Sequence, residues 1–349
     1  MEEKRTLSNP DKEPLKGGIC LVDSSCCVAS SAWTDCNPLI AVAGYSKRFF
    51  AIHPSIDGTV RDCFSCDIAG SVAAPLLSCR CCCSGSKSSI LAAATSGWLM
   101  HLSMDNRQQF AQEWSLKLDG PLFSVPVCLP FSLQSPSVAV ATATGQVFVV
   151  SALLGNVLQR LQPLQSPCSF MSAPRVVLSS LDGRLLVLLA SAGNGGIFVF
   201  DCVSSGLSPL ARLIGQSAGN TGASFLSAPC IHRLEPLEDE NSFVVLACAS
   251  DGKLYAVAYD SDRWKSLDPS RFASKTLPLA SSTVSDVAMR EIFDAECGVF
   301  CTPAVVPVFS LSPDEAAPST QALIQQRSRR LVSLAVVIGG RDNIIRCCM

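Results

Sequence analysis

The amino-acid sequence predicts an all-β fold made of copies of one four-stranded sheet. Two observations support this prediction: one short phrase returns along the chain, and each copy is followed by a turn that opens an apolar run. Residues 282–294 are the one stretch with the pattern of an amphipathic helix of useful length, and that helix would be an insertion. A repeat of this kind decides the architecture before any single element does.

The recurring phrase combines an apolar residue, small residues and a closing proline. Its copies are GPLFSVP at 120–126, CSFMSAP at 168–174, ASFLSAP at 223–229 and CGVFCTP at 297–303, with weaker copies GSVAAP at 70–75 and CVASSA at 27–32. Their closing residues lie 43, 51, 48, 55 and 74 residues apart and are Ala32, Pro75, Pro126, Pro174, Pro229 and Pro303. Proline suits a strand start, where no backbone donor is needed. We expect the larger residue before the small ones to pack between neighbouring sheets, namely Phe123, Met171, Leu226 and Phe300.

Each copy of the phrase is followed by a tight turn. The turns contain Gly97, Gly145, Gly252 and the pair Asp342–Asn343, residue types that tolerate positive φ better than others. Runs of four to eight β-favouring residues fill the remaining sequence. Four antiparallel strands in roughly 45–50 residues are typical of a propeller blade. The sequence therefore predicts an all-β fold, a β-propeller of six or seven four-stranded blades, in which the spacing of 74 residues leaves room for a seventh.

The repeats also predict the domain organisation. Residues 1–17 are polar and form a flexible N-terminal segment, and residues 18–349 form the propeller. We expect residues 19–22 to pair with the last blade and close the ring, which removes an open sheet edge. Insertions are expected near 270–296 and 308–330.

Composition narrows the classes of partner and compartment. Of 349 residues, 48% are hydrophobic and 16% charged, and the net charge is −2, which argues against nucleic acid or an anionic membrane as partner. No run reaches the roughly 18 apolar residues of a spanning helix, and the N-terminus lacks the apolar core of a secretion signal. The 19 cysteines are then expected as free thiols in a reducing compartment, the cytoplasm.

Three stretches carry a resemblance to a known family. They are EWSLKLDGPLFSVP at 113–126, VVIGGRDNIIRCC at 336–348 and CVASSA at 27–32. The phrases resemble the PQQ-type repeat of the quinoprotein alcohol dehydrogenase-like class. More narrowly, residues 19–349 look like the C-terminal propeller of acyl-activating enzymes of the β-alanine-activating, aminoadipate-semialdehyde dehydrogenase-like family.

The resemblance implies a module that accompanies an adenylating domain and a carrier domain. This chain has neither the phosphate loop ending in lysine nor a carrier serine at a helix start. The resemblance therefore implies no catalytic residue here. We expect a non-catalytic interaction or regulatory module, with no cofactor, whose protein partner is the adenylating and carrier region, in cis or in trans, or its acyl acceptor.

The alternative is an enzyme, a degenerate quinoprotein dehydrogenase that binds PQQ and Ca²⁺. Such a site needs a stacking tryptophan, oxygen ligands for Ca²⁺ and a carboxylate base. Adjacent cysteines occur at Cys26–Cys27, Cys81–Cys83 and Cys347–Cys348. Tryptophans are few, namely Trp33, Trp98, Trp114 and Trp264. The regular Ala-x-Asp…Gly…Trp pattern of true quinoproteins is absent except for Trp114, so the interaction module is favoured.

Two other kinds of site can be drawn from the sequence. Cys63 and Cys66, followed by the cysteines of residues 79–83, have a spacing that suits zinc, but they fall where strands are predicted, and strand packing is the favoured interpretation. The histidines His53, His101 and His232 form no spaced cluster. We therefore predict no metal ligands and no catalytic residues.

Overall fold

The structure, a computed structural model, describes part of the chain. The described residues are 19–22, 39–43, 47–54, 60–74, 76–78, 89–104, 110–129, 136–163, 168–179, 183–192, 196–203, 206–216, 224–233, 243–259, 276–279, 285–296, 299, 301–310, 330–339 and 345–348. All regular structure in these residues is β-strand. No helix in them is long and apolar enough to cross a membrane.

The strands form antiparallel meanders that follow one another along the chain. The first three blades are β1 Ile19–Val22, β2 Leu39–Ala43, β3 Arg48–Pro54 and β4 Val60–Asp67; β5 Leu77–Ser78, β6 Ser89–Ala93, β7 Trp98–Met104 and β8 Phe110–Lys117; and β9 Val127–Leu129, β10 Ser137–Ala141, β11 Val147–Ser151 and β12 Val157–Pro163.

The second half of the chain continues the series. Its strands are β13 Arg175–Leu178, β14 Leu185–Ala190, β15 Ile197–Val203 and β16 Gly206–Gln216 in blade 4; β17 Cys230–Arg233, β18 Phe243–Cys248, β19 Lys253–Ala258 and β21 Ser285–Asp294 in blade 5, with β20 Thr276–Leu279 between the last two; and β22 Ala304–Ser310, β23 Arg330–Gly339 and β24 Ile345–Cys348 in blade 6. The described residues thus form six blades of a β-propeller, which confirms the predicted fold class.

In a β-propeller the blades surround a central channel, and we call the first strand of each blade its inner strand and the last strand of each complete blade its outer strand. Contacts between inner strands join β1 to β5, β13 to β17 and β17 to β22. Two outer strands carry additional parallel pairings, β12 with β20 and β16 with β21. Blades 4 and 5 therefore form one sheet of eight strands.

The hydrophobic core consists of layers between successive blades. In blade 2, Ile90 and Ala92 pack in the layer shared with blade 1, while Leu91 and Ala93 pack in the layer shared with blade 3. Blade 4 divides its β14 residues between two layers in the same way. This period of two is what a strand buried on both faces produces. Blades 2 to 5 therefore each depend on both neighbours for the burial of their apolar side chains.

The recurring phrase connects an outer strand to the inner strand of the next blade, and its backbone joins the two blades. In the copy at 120–126, the Leu122 amide donates to the Ala94 carbonyl of blade 2 (3.2 Å), while the Pro121 carbonyl accepts from the Ala143 amide of blade 3 (2.9 Å). The next two copies repeat both bonds, through Phe170 and Ser169 and through Phe225 and Ser224. In these three copies the recurring phrase therefore joins two neighbouring blades by backbone hydrogen bonds.

The structure corrects which residue of the phrase packs between blades. Leu122, Phe170 and Phe225 are fully buried, as is Val72 in the weaker copy, and Val299 is 1% exposed. The predicted residues directly follow Leu122, Phe170, Phe225 and Val299. Phe123 and Leu226 are only half-buried and Met171 is 37% exposed, whereas Phe300 lies outside the described residues. The prediction was one residue late.

The start of each inner strand is confirmed in four copies and shifted in one. Pro126, Pro174, Pro229 and Pro303 are buried and directly precede β9, β13, β17 and β22. In the copy at 70–75, the residue directly before β5 is Leu76, which is buried. Pro75 itself, like the copy at 27–32, lies outside the described residues. The glycine turns are confirmed at Gly97, Gly145 and Gly252, which have φ of 87°, 82° and 96°.

Two further expectations are wrong. Residues 19–22 do not pair with the last blade, because β1 pairs antiparallel with β2 as the inner strand of blade 1. Within the helix predicted for 282–294, the described residues form a strand instead, because Ser285–Asp294 is the outer strand of blade 5, paired with β19 and β16. Residues 1–17 and most of the predicted insertions, 270–275 and 311–329 among them, lie outside the described residues.

Replacing Phe170 by alanine should lower the free energy of unfolding by about 3–5 kcal/mol, because a fully buried aromatic ring is lost from the layer between blades 3 and 4. Met171→Ala is the matched control, because it removes an exposed side chain of the same phrase and should cost less than about 1 kcal/mol. Urea denaturation followed by circular dichroism measures both. Equal losses would contradict the assignment of the seam to Phe170.

Candidate interaction site

Four half-buried thiols lie in environments that disfavour the thiolate. Burial raises the pKa of the Cys66, Cys168, Cys202 and Cys230 thiols, so these groups stay protonated, whereas the thiolate is the reactive and metal-binding form. Among the described residues, no group of three or more histidine, cysteine, aspartate or glutamate side chains could hold a metal ion.

The residues considered for zinc and for a quinone are spread over the fold. Cys63 and Cys66 lie in one continuous strand, β4, and residues 79–83 lie outside the described part. Cys347 and Cys348 end β24, and residues 26–27 are not described. Trp98 lies in β7 and Trp114 in the outer strand β8, so neither belongs to the inner strands; Trp33 and Trp264 are outside the described residues.

The histidines fall on three different blades. His53 lies in β3, His101 in β7 and His232 in β17. His101 is 5% exposed, forms a hydrogen bond from Nε2 with the Ser89 hydroxyl, and its Nδ1 is buried without a hydrogen-bond partner. Burial lowers its pKa, and the charge of Glu113 opposes this only in part. The imidazole therefore acts as a neutral core side chain.

Trp114 links this buried group to the next blade. Its ring lies 5.4 Å from that of His101, measured between centroids, and its Nε1 donates to the Ala152 carbonyl (3.0 Å) of the turn between β11 and β12. A Cβ on Gly155 would lie 2.5 Å from the Trp114 ring, and Gly155 has a φ of +67°. Only glycine permits this close approach. The indole of blade 2 therefore rests directly on the turn of blade 3.

The turn between β11 and β12 is held by its own hydrogen bonds as well. The Leu154 amide donates to the Ser151 hydroxyl (3.2 Å) and the Gly155 amide to the Ser151 carbonyl (2.9 Å). The Ala152 amide donates to the Pro136 carbonyl (2.8 Å) at the start of β10. We call residues 151–159 the blade 3 hairpin. These hydrogen bonds hold the hairpin in one conformation in the protein alone.

Gln159 fixes the other side of the hairpin to blade 4. Its Nε2 donates to the Leu207 carbonyl (2.9 Å), and its Oε1 accepts from the Leu207 amide (2.8 Å). The side-chain amide thus takes the place of a paired strand residue at the beginning of β16. Blade 3 is therefore held near its outer edge by Trp114 on one side and by Leu207 on the other.

The blade 3 hairpin nevertheless exposes large apolar side chains. Leu153, Leu154, Val157 and Leu158 are 45%, 76%, 40% and 44% exposed, and we call these four residues the apolar patch. Scattered exposed apolar residues are ordinary, but these four fall within six consecutive residues, 153–158, which makes the hairpin a candidate interaction site. Sequence analysis missed it, although an uncharged run of nine residues, SALLGNVLQ at 151–159, was the available signal.

Comparison with known proteins bears on the fold alone. No sequence-family model and no curated protein matches the chain. Among solved structures, it is similar to Sqt1 of Saccharomyces cerevisiae, with a TM-score of 0.50 at 12% identity over 88% of this chain and 80% of that one. BamB of Moraxella catarrhalis gives a TM-score of 0.45 at 11% identity over 96% of this chain and 85% of that one. At such identity the likeness to Sqt1 supports the propeller fold and nothing finer.

His101 makes stability depend on pH. Its pKa is lowered in the folded state, so the unfolded chain binds a proton first as the pH falls through about 6.5. The stability that the neutral His101 contributes should therefore be fully present above about pH 7 and should be lost progressively as the pH falls to about 5. His101→Gln should reduce this decline, whereas His232→Gln should retain it. Denaturation in urea at stepwise pH measures the difference, and an unchanged pH dependence in His101→Gln would contradict the assignment.

Gln159→Glu should destabilise the contact between blades 3 and 4. A carboxylate can accept from the Leu207 amide, but its second oxygen would face the Leu207 carbonyl without a proton to share. We expect a loss of about 1–3 kcal/mol in the free energy of unfolding. Asn156→Asp, an exposed amide in the same hairpin, is the control and should change stability by less than about 0.5 kcal/mol. Similar effects of the two substitutions would refute the role of Gln159.

Proposed function

We propose that this propeller is a non-catalytic interaction module. One observation carries the proposal: the apolar patch projects from a hairpin that both neighbouring blades hold in place, through Trp114 and through Gln159. A rigid apolar surface loses little conformational entropy on binding and so favours association. Burial raises the pKa of four half-buried thiols, Cys66, Cys168, Cys202 and Cys230, so these four give no comparable support to a catalytic role.

We further propose that the module belongs with the PQQ-type propellers of acyl-activating enzymes. The support is the resemblance of residues 113–126 and 336–348 to that family. The partner would be the adenylating and carrier region of such an enzyme, in cis or in trans, or its acyl acceptor. We propose the cytoplasm as the compartment, because a chain of this length with 19 cysteines keeps most of them as thiols in a reducing environment.

Binding to the purified adenylating and carrier region of a related acyl-activating enzyme tests the proposed function. Isothermal titration of that region into the full chain should give saturable binding with a negative heat-capacity change, the mark of apolar burial. Absence of binding to this region and to its acylated form would overturn the assignment to this enzyme family.

An activity assay tests the quinoprotein alternative. The full chain is mixed with PQQ and Ca²⁺ and tested for dye-linked oxidation of alcohols. We expect no activity above that of the cofactor alone, because neither Trp98 nor Trp114 lies on an inner strand. Activity above this background would overturn the non-catalytic role.

A further inference from the structure

We propose that the outer edge of blade 3 binds an extended segment of a partner protein, and that β20 of the same chain occupies this edge as a displaceable strand. We call β20, Thr276–Leu279, the strap. The partner segment would join the sheet beside β12 by backbone pairing, which is recognition by strand addition. The inference goes beyond the proposed function, because it assigns another binding surface and makes the availability of that surface depend on the strap.

The strap belongs to an insertion that distinguishes blade 5 from the four blades before it. The connections between third and fourth strands in blades 1 to 4 are short, namely 55–59, 105–109, 152–156 and 204–205. The corresponding connection in blade 5 runs from 259 to 284. From this connection the strap reaches past blade 4 and pairs in parallel with the outer strand of blade 3. Long connections within compact domains usually serve a function.

The backbone pairing of the strap is weaker than that of the strand that follows it. The strap is the end strand of its sheet and pairs with Arg160–Pro163 alone. Pro163 and Pro278 fall within this pairing and have no amide proton to donate. β21, by contrast, pairs with β16 over Ala211–Gln216, a ladder without proline, and with β19 on its other side. The strap can therefore leave its place while β21 keeps blade 5 complete.

The strap itself indicates the chemistry of the segment that fits this edge. Its sequence, Thr-Leu-Pro-Leu, is uncharged and alternates leucine with other residues, a period typical of strands. Nor does the edge offer an unpaired charge at Arg160, whose guanidinium lies 3.0 Å from the Asp119 carboxylate and 5.6 Å from the centroid of the Phe148 ring. A charged segment would lose water here without gaining an ion pair. We therefore infer an uncharged, extended partner segment with alternating apolar residues.

A partner segment could pair with more of β12 than the strap does. β12 comprises Val157–Pro163, and the strap pairs with its last four residues. In the same parallel register, a segment that begins three residues earlier would also lie beside residues 157–159. The strap has the advantage of being attached, which gives it a high effective concentration. The longer pairing of the partner segment would offset that advantage.

Permanent cover of the sheet edge is the alternative role of the strap, because proteins protect exposed edges in this way. The two roles differ in one measurable respect. A permanent cover stays in place when a competing peptide is added, whereas a displaceable strand leaves.

Hydrogen exchange of the wild-type full chain distinguishes these roles without any substitution. The competing peptide, ASKTLPLA, has the sequence of residues 273–280 and would span all of β12 in the register of the strap. It is ¹³C-labelled, so that mass spectrometry separates it from the strap. Excess peptide, at about millimolar concentration, should raise amide exchange in 276–279 and leave that of β21 unchanged. Unchanged exchange in 276–279 would overturn the inference.

Two variants of the full chain test the competition directly. Thr276→Pro with Leu277→Pro removes the amide donors that remain in 276–278 and should release the strap. The control is Ser261→Pro with Ser270→Pro, which adds two prolines to the same insertion outside β20. Thermal midpoints verify that both variants fold. Fluorescence anisotropy of the same peptide, labelled with a dye, measures binding, and sedimentation velocity is recorded for each protein alone.

We expect the strap variant to bind the peptide at least about tenfold more tightly than wild type, because the binding-competent state with a free edge is no longer the minor one. The control should bind like wild type. Equal binding by all three proteins, or no binding by the strap variant, would overturn the inference. A wild-type dimer that the strap variant loses would identify the strap of a second copy as the occupant and overturn the choice of a separate partner. None of these measurements uses the adenylating and carrier region, so the proposed function stands or falls separately.

Discussion

The constraint on which the structure depends is that no blade can bury its own apolar residues. A four-stranded sheet that is apolar on both faces needs a neighbour on each side, and the alternation of Ile90 and Leu91 between two layers shows this within a single strand. The recurring phrase meets the same constraint with hydrogen bonds. In the copies at 120–126, 168–174 and 223–229 it donates to the blade behind and accepts from the blade ahead, so burial and backbone pairing are satisfied together at these seams.

The sequence was sufficient to predict the blades and insufficient to predict the register at the seams. The phrase contains two adjacent apolar residues in most copies, such as Phe170 and Met171, and their sizes do not reveal which one is buried. The choice is made by hydrogen bonds with turns some 25 residues away in each direction, at Thr142 and Ala192. Pairing between strands that are distant in sequence also places Ile19–Val22 in blade 1. It likewise makes Ser285–Asp294, which has a helical sequence pattern, an outer strand.

The candidate site, in contrast to the blades, was not predicted from the sequence. Sequence reasoning concentrated on residues that carry chemistry, and the structure places the described ones apart or in the core. The apolar patch went unnoticed because a run such as SALLGNVL looks like strand and turn. Exposure depends on which face the neighbours cover, and here the neighbouring blades cover the flanks while leaving the tip open. Gly155 and Gln159 have roles that no local pattern announces, because their contacts, Trp114 and Leu207, belong to other blades.

The parallel pairing of β16 with β21 has a consequence for how the molecule opens. Blades 4 and 5 share backbone hydrogen bonds at their rims in addition to the buried layer between them, so neither can separate without breaking the other's outermost strand. The two should exchange amide hydrogens as one cooperative unit. Blades 4 and 5 should therefore open together and not one at a time.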